Sequence, residues 1–154
     1  LSEREINLLL RGNHTSELLR TIIELALETG MRQGEILRIH PEHIKGNILF
    51  IPIAKTKPRT IPLTDRALEI LKHATLPFNI KQDKLTKQFK KLCKHYGIKK
   101  AVFHDCRKNA LTDFMHVKKL SVPETMLIAG HSDPRMLLRI YNNLKVQDVA
   151  KKLN

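Results

Sequence analysis

The stretch Ala129-Gly130-His131-Ser132-Asp133-Pro134 predicts the end of one helix and the start of another, and the second helix would carry Tyr141. A glycine often ends a helix, an aspartate caps the next one, and a proline fits its first position. His131 is therefore expected just outside the second helix, with Tyr141 about two turns inside it. One histidine and one tyrosine are weak evidence of function, so their meaning depends on the polar groups elsewhere in the chain.

The charge balance is strongly basic: 28 Lys and Arg against 15 Asp and Glu leave a net charge of +13, with a sequence pI near 10.0. Such an excess indicates a polyanionic partner, either nucleic acid or an anionic membrane surface. A simply basic protein, as in ribosomes, is the alternative. No apolar run is long enough for a membrane span and the N-terminus lacks a signal-peptide pattern, so a membrane partner is not expected beyond surface association.

The length of 154 residues fits one domain, or one domain with a short appendage. Cys93 and Cys106 form neither a disulfide framework nor a C-x-x-C pair, which fits a reducing, cytoplasmic location. The chain begins at Leu1 rather than at an initiator methionine, so we expect it to be part of a longer protein.

Hydrophobic spacing and capping residues predict a mainly helical α+β domain. Ser2 and Glu5 suit a capping box, and Thr15 and Ser16 start a longer helix that Gly30 ends. Further helices are predicted over residues 33–39, 65–74, 84–96, from 104, from 123 to 129 and from 134, with a possible short helix over 146–153. Alternating apolar residues predict strands over 47–53 and 59–63, joined as an antiparallel β-hairpin by Lys55-Thr56-Lys57-Pro58.

Two cations lie where a rigid framework could present them. Arg32 follows Thr29-Gly30-Met31 at a helix-to-helix corner, with Glu35 three residues on and within reach of the same face. The simpler alternative is a surface arginine with a local ion pair. Lys55 lies at the hairpin tip, where it could present an ammonium to a phosphate, although turn lysines are commonly only solvated.

A basic amphipathic helix is predicted over residues 84–96, with no acid inside those bounds to neutralise its lysines. Phosphate contact and a solvated face both fit this pattern. The candidate DNA contacts are these lysines and two hairpin cations: Lys57, Arg59, Lys84, Lys87, Lys90, Lys91 and Lys94.

His104 and Arg107 are three residues apart at the start of a predicted helix, which puts both side chains on one side of its first turn. The free N–H groups and positive dipole of a helix N-terminus favour an anion. This pair is therefore more informative than either residue alone.

Taken together, the polar candidates suit phosphodiester cleavage without a metal. Two arginines can hold the non-bridging oxygens, a tyrosine can act as the covalent nucleophile, and a lysine can protonate the leaving alkoxide. A tyrosine with a free pKa of about 10 needs a base or cations beside it. The set comprises Arg32, Lys55, His104, Arg107, His131 and Tyr141.

Five motifs in order resemble the catalytic domain of a tyrosine recombinase, the phage-integrase family. Thr29-Gly30-Met31-Arg32-x-x-Glu35 resembles the family's first-arginine motif, and the segment from Ala54 to Leu63 resembles its hairpin motif. His104-Asp105-Cys106-Arg107 matches H-x-x-R, and Gly130-His131-Ser132 matches the G-H motif, with Tyr141 at the nucleophile position. The motifs span residues 29 to 141, so the resemblance implies that residues 1–154 are one α+β catalytic domain.

The resemblance implies a site-specific recombinase that needs no cofactor. Tyr141 would attack the scissile phosphate and form a 3′-phosphotyrosyl link with a free 5′-hydroxyl. Arg32 and Arg107 would hold the phosphate oxygens, and Lys55 would protonate the leaving 5′ oxygen. The expected partner is double-stranded DNA, bound by a tetramer that this protein forms with itself or with a paired recombinase. The expected location is the cytoplasm, at the nucleoid, for a protein of bacterial or phage origin. No small-molecule substrate is implied.

By the same resemblance, His104 would act as base or proton carrier for the tyrosine, and His131 would hydrogen-bond the phosphate. Glu35 would support the surroundings of Arg32 without touching DNA, and Lys57 is the alternative to Lys55. The N-terminal core-binding domain usual in the family is absent from this chain. The ten-residue interval from His131 to Tyr141, where nine is commoner, and Cys106 at a usually aliphatic position depart from the family pattern.

Three other interpretations are open. A type IB topoisomerase would use the same tyrosine chemistry but reseal the original strand. A non-catalytic DNA-binding module would keep only the fold. A metal site built from Cys93, His95, His104 and Cys106 is disfavoured because the first two point to different sides of a helix.

Overall fold

The computed structural model describes residues 1–54, 57–130 and 133–154, except for the side chains of Leu144, Lys145 and Gln147. Over these residues the chain forms the helices α1 Glu3–Arg11, α2 Glu17–Thr29, α3 Gln33–Leu37, α4 Asp65–His73, α5 Gln82–His95, α6 His104–His116, α7 Val122–Ala129 and α8 Arg135–Leu153. The strands β1 Ile44–Lys45, β2 Ile48–Ile51 and β3 Arg59–Pro62 lie between α3 and α4, after a 3-10 turn at Pro41–His43. The predicted mainly helical α+β architecture is confirmed.

Capping side chains set the ends of the first helices, as predicted. The Ser2 hydroxyl accepts a hydrogen bond from the Glu5 amide at 3.1 Å, and the Glu5 carboxylate accepts one from the Ser2 amide at 2.7 Å. Ser16, rather than Thr15, caps α2 and accepts from the Leu19 amide at 3.2 Å. Gly30 ends α2 with a φ of 70°, a left-handed conformation that a glycine adopts without steric cost.

The sheet is antiparallel in the order β1-β2-β3, with Leu49 opposite Ile61 and Ile51 opposite Arg59. The predicted hairpin is therefore correct in its pairing, but a third strand of two residues extends it. Two residues are too short for an alternating pattern to reveal. β2 also ends at Ile51 instead of residue 53, because Pro52 has no N–H to donate to a ladder.

Three helix predictions were wrong in their bounds, and the first is α3, which ends at Leu37 instead of residue 39. α5 begins at Gln82 and so contains Asp83 in its first turn, which means that the basic helix does include one acid. α8 runs without a break from Arg135 to Leu153, where a separate tail helix was predicted, because no glycine or proline interrupts it. Its N-cap is Pro134, whereas Asp133 was predicted as the cap and Pro134 as the first helical residue. The Asp133 carboxylate accepts from the Arg135 amide at 3.0 Å.

The buried side chains form two hydrophobic clusters. The larger cluster contains residues from all of the helices α1 through α5, from the sheet and from the start of α6. The smaller cluster contains residues from α6, α7 and α8. α6 packs against α2 as well as α8, so it connects the two clusters. None of the helices that the structure describes is both long enough and apolar enough to cross a membrane.

Candidate active site

Arg32 lies directly after the left-handed turn at Gly30 and occupies the N-cap position of α3 in an extended conformation. Its amide donates to the Glu35 carboxylate at 3.0 Å, and its Nη1 lies 3.9 Å from Glu35 Oε2. About a quarter of its side chain remains exposed (25%). The local ion pair expected as the simpler alternative is thus present, and it leaves the guanidinium accessible.

Arg107 is almost fully buried, with 2% of its surface exposed. Its Nη1 donates to the Gly30 carbonyl at 2.6 Å, and its Nη2 donates to the Ala129 carbonyl at 2.9 Å. These carbonyls lie at the C-terminal ends of α2 and α7, where helix dipoles favour a cation. Burial, and then the nearby Arg32, lower the pKa of Arg107 to about 10, so it stays charged at neutral pH.

His104 is the first residue of α6 and lies one turn before Arg107. Although part of its imidazole is open to solvent, partial burial lowers its pKa below the ordinary value, and the positive charges of Arg107, Lys108 and Arg32 lower it further. At neutral pH the ring is therefore mostly neutral and can accept a proton.

Arg32, His104 and Arg107 line one cleft with a volume of about 450 Å³. Glu35 and Arg38 also line it, as does Gln82 at the start of α5. Three of the six predicted catalytic side chains are thus brought together from α3 and α6. Arg38, which we did not predict, adds a further exposed cation at the rim of the cleft, and its sequence context offered no motif to reveal it.

Arg59, which was predicted to contact DNA, donates its hydrogen bonds to groups inside the protein. Its Nη1 and Nη2 donate to the two Glu35 carboxylate oxygens at 2.6 and 3.1 Å, its Nε donates to the Ile128 carbonyl at 2.8 Å, and only 7% of its side chain is exposed. This interior pairing was not predicted, and the predicted phosphate contact of Arg59 stays a prediction. The strand alternation could have revealed it, because Arg59 lies two residues before the buried Ile61 and so shares its face.

Glu35 is buried beneath the cleft, with 4% of its surface exposed. Burial by itself would raise the pKa of Glu35, but the hydrogen bonds from Arg59 and the Arg32 amide outweigh it and hold that pKa below its ordinary value. Glu35 is therefore a charged acceptor shared by two arginines.

Tyr141 lies in α8 and is partly buried against the smaller hydrophobic cluster, beside the side chains of α6 and α7. The described residues that line the cleft do not include it. Lys55 and His131, the other two predicted catalytic residues, lie outside the residues that the structure describes.

The lysines predicted to contact DNA are exposed, both Lys57 on the hairpin and the five on α5. Those on α5 do not share one side. Gln82, Thr86 and Lys90 are spaced four residues apart and so lie on the same side of α5. On this side Gln82 lines the cleft, and Thr86 donates to the Gln33 side chain at 3.2 Å. Lys91 instead lines a different cavity, with His14 and His95.

The two cysteines are buried in the larger cluster rather than grouped with histidines at the surface. Burial raises the pKa of Cys93 to about 11 and that of Cys106 to about 12. Among the residues that the structure describes, no group of three or more His, Cys, Asp or Glu side chains could hold a metal ion.

Comparisons with known proteins identify the family of this chain. Residues 1–76 match the model of the Phage integrase family. The Shufflon-specific DNA recombinase of Escherichia coli is 34% identical over 147 residues, which covers 89% of this chain and 38% of that protein. The chain spans between 34% and 56% of the length of the curated relatives it matches.

Solved structures share the fold at lower identity. The catalytic domain of bacteriophage HP1 integrase is 23% identical with a TM-score of 0.75, covering 100% of this chain and 94% of that one. A lambda integrase dimer bound to a core site is 20% identical with a TM-score of 0.75, covering 92% of this chain and 58% of that one. The chain is therefore a member of the phage integrase family with the fold of a tyrosine recombinase catalytic domain.

Proposed function

We propose that this protein carries out site-specific DNA recombination by cutting and rejoining strands through a covalent phosphotyrosyl intermediate on Tyr141. The observation that carries the proposal is the convergence of Arg32, His104 and Arg107 on one cleft, with Tyr141 on a helix packed against α6. Two guanidiniums and a neutral imidazole are the groups that transfer of a phosphodiester to a tyrosine requires.

In the proposed reaction the Tyr141 oxygen attacks the scissile phosphorus, and the bond from phosphorus to the 5′ oxygen breaks. Arg32 and Arg107 stabilise the charge that gathers on the non-bridging oxygens, the effect that is often the largest in such reactions. His104 takes the phenol proton, and Lys55 gives a proton to the leaving 5′ oxygen. His131 hydrogen-bonds the phosphate.

The phosphotyrosyl link then preserves the bond for rejoining. A second 5′-hydroxyl attacks the phosphorus and gives its proton to Lys55, while the tyrosine oxygen leaves and takes back its proton from His104. Each step breaks one phosphate ester bond and forms another, so the reaction needs no co-reactant. Glu35 does not touch the DNA in this scheme but holds Arg32 in place.

The proposed partner is double-stranded DNA. The net charge of +13 and the exposed lysines of α5 support it, as do the relatives, one named a DNA recombinase and another described on a core site. The proposed assembly is a tetramer that holds two sites, formed with itself or with a paired recombinase. A chromosomal or phage substrate would place the protein at the nucleoid.

The test is trapping of the covalent adduct. The full-length protein is incubated with nicked duplexes prepared from the DNA of its source organism, so that the cleaved fragment diffuses away and the adduct accumulates. We expect an adduct whose DNA can be sequenced, lost in Tyr141→Phe but kept in Tyr96→Phe. Tyr96 is the matched control because its hydroxyl bonds the His14 amide and Thr15 at 3.0 Å each, inside the packing between α5 and the loop after α1.

The absence of any adduct with the wild-type protein would contradict the enzymatic proposal and favour a DNA-binding module. If the protein forms the adduct and relaxes a supercoiled circle that carries a single site, without joining two sites, the result would instead favour a topoisomerase. Strand exchange between two copies of the recovered site supports the recombinase.

A further inference from the structure

Arg59 makes contacts that none of the catalytic roles above accounts for. It is the first residue of β3, and its guanidinium donates at least three hydrogen bonds to the interior of the protein. Two of them reach both oxygens of Glu35, a bidentate geometry that fixes the carboxylate in one plane. The third reaches the Ile128 carbonyl in the last turn of α7.

The first connection leads to Arg32. Glu35 Oε1 accepts from the Arg32 amide as well as from Arg59, so the carboxylate joins β3 to the start of α3. Glu35 is buried and charged, and a buried carboxylate keeps its charge only when donors surround it. Without Arg59, Glu35 would lose its bidentate partner, and the Arg32 backbone would lose a well-placed acceptor.

The second connection leads to Arg107 and to the residue before His131. The carbonyl next to that of Ile128 belongs to Ala129, and it accepts from Arg107. Gly130 follows with a φ of +72°, and a Cβ at Gly130 would lie 3.0 Å from the Cδ, Nε and Nη1 atoms of Arg59. Arg59 therefore packs against the backbone of the turn that ends α7.

These contacts close a ring that includes three of the residues lining the cleft, namely Arg32, Glu35 and Arg107. Starting from Glu35, it runs through Arg59 to the end of α7, from Ala129 through Arg107 to the Gly30 carbonyl, and from Gly30 along the chain to Arg32 and back to Glu35. Arg59 thus shares the acceptor of the Arg32 amide, and it donates to the carbonyl next to the one that accepts from Arg107.

We propose that Arg59 is a positioning residue for strand cleavage: it fixes Arg32 through Glu35, and it fixes the end of α7 that holds Arg107 and precedes His131. The inference rests on the proposed function for its catalytic meaning. It differs from a role in DNA binding, because Arg59 is not among the described residues that line the cleft, whereas Arg107 is, and the Nε, Nη1 and Nη2 atoms of Arg59 each donate to an acceptor inside the protein.

The variants that test this proposal are Arg59→Lys and the double variant Arg59→Met with Glu35→Gln. Lysine keeps the charge but cannot make the bidentate pair together with the carbonyl bond. The double variant removes both charges at once, so that no unpaired carboxylate is left in the interior and the protein can fold. Arg66→Lys is the matched control, since Arg66 also pairs bidentately with a glutamate, Glu24 at 2.6 and 3.0 Å, but on the exposed side of α4.

The measurements use the full-length protein with two probes. Affinity and its salt dependence are measured on a duplex of arbitrary sequence, and the rate of adduct formation is measured at saturating concentrations of the nicked site recovered above. For Arg59→Lys we expect unchanged affinity and an unchanged salt slope, but a maximal rate slower by about 10- to 100-fold, as small displacements of catalytic groups cause. The double variant should fold, bind equally and cleave slowly, and Arg66→Lys should match the wild type in all three.

A different set of results would overturn the proposal. If Arg59→Lys or the double variant lowers affinity and the double variant reduces the salt slope by about one, Arg59 is a phosphate contact. If the maximal rate is unchanged, Arg59 has no positioning role. If the wild type forms no adduct, the proposed function fails, but the contacts of Arg59 can still be tested through stability. The free energy of unfolding is then compared for Arg59→Met, Glu35→Gln and the double variant. Additive effects of the two single variants would contradict the hydrogen-bonded ring.

Discussion

Arg107 on α6 and Gly30 at the end of α2 are joined by a hydrogen bond of 2.6 Å, although 77 residues separate them in the chain. The left-handed conformation of Gly30 ends α2 at this point, and its carbonyl accepts from the buried guanidinium. The same side chain reaches Ala129 at the end of α7. A residue proposed to hold the phosphate thus also connects three helices, so its replacement should affect stability as well as catalysis.

Replacing Arg107 by Gln should lower the free energy of unfolding by at least about 2 kcal/mol, because charged hydrogen bonds to two buried carbonyls are lost. Lys108→Gln removes the same charge from the next, exposed position and should change stability by no more than about 0.5 kcal/mol. Urea denaturation of both variants checks this. Equal losses would mean that net charge, rather than the contacts of Arg107, decides the effect.

Replacing Gly130 by Ala should be more damaging than replacing Gly97, although both glycines have a positive φ near 70°. At Gly97 nothing lies within 4 Å of an added Cβ, so only the backbone cost of about 1–2 kcal/mol is expected. At Gly130 the Cβ also meets Arg59 at 3.0 Å and must displace it. Denaturation curves and cleavage rates should therefore separate the two variants, and similar behaviour would argue against tight packing of Arg59.

The pH dependence of stability should carry a contribution from His104. Its pKa is lowered in the folded protein, chiefly by burial, so the unfolded chain binds the proton more tightly. Its contribution to stability is complete above the unfolded pKa of about 6.5 and is lost as the pH falls through that value toward the folded pKa.

The His104 ring should therefore titrate below about 6.5 in an NMR experiment. The variant His104→Gln should lose less stability than the wild type on acidification. His116→Gln, at the other end of α6, controls for the loss of a histidine from the same helix. A titration midpoint above the ordinary value would mean that nearby acids, not burial and cations, dominate this site.

DNA binding should depend on Lys90 more than on Lys91. Lys90 continues the side of α5 that meets the cleft at Gln82, whereas Lys91 lines a different cavity beside His95. If Lys90 contacts a phosphate, Lys90→Gln should weaken duplex binding and reduce the salt slope by about 0.9. Fluorescence anisotropy across salt concentrations distinguishes the two neighbours, and a larger effect at Lys91 would place the DNA on the other side of α5.

The cysteine thiols should be protected in the native protein. Burial raises the pKa of Cys93 to about 11 and that of Cys106 to about 12, so little thiolate is present at neutral pH. A thiol reagent should therefore react slowly with the native protein and rapidly after denaturation. Immediate labelling of Cys106 in the folded protein would contradict its place in the core.

Local rules predicted much of this fold from the sequence. Ser2, Ser16 and Thr64 act within three residues of themselves as helix caps, and the glycines at positions 30 and 130 end their helices in a left-handed conformation. The family motifs were also readable in order, because each is a short run of neighbouring residues. The predicted start of α5 was wrong because single side chains set such bounds only weakly, and the separate tail helix was wrong because no glycine or proline interrupts α8.

By itself the sequence determined which residues cap or end most of the helices, and which polar groups are available. Only the tertiary structure decided what those groups touch. Arg59 pairs with Glu35 across 24 residues and with Ile128 across 69, and Arg107 meets Gly30 across 77. Contacts over such separations depend on how helices and strands pack, since a buried charge must find its partner wherever the core places one. Among the cations predicted to contact DNA, the lysines therefore face solvent, whereas Arg59 donates to Glu35 and to the Ile128 carbonyl inside the protein.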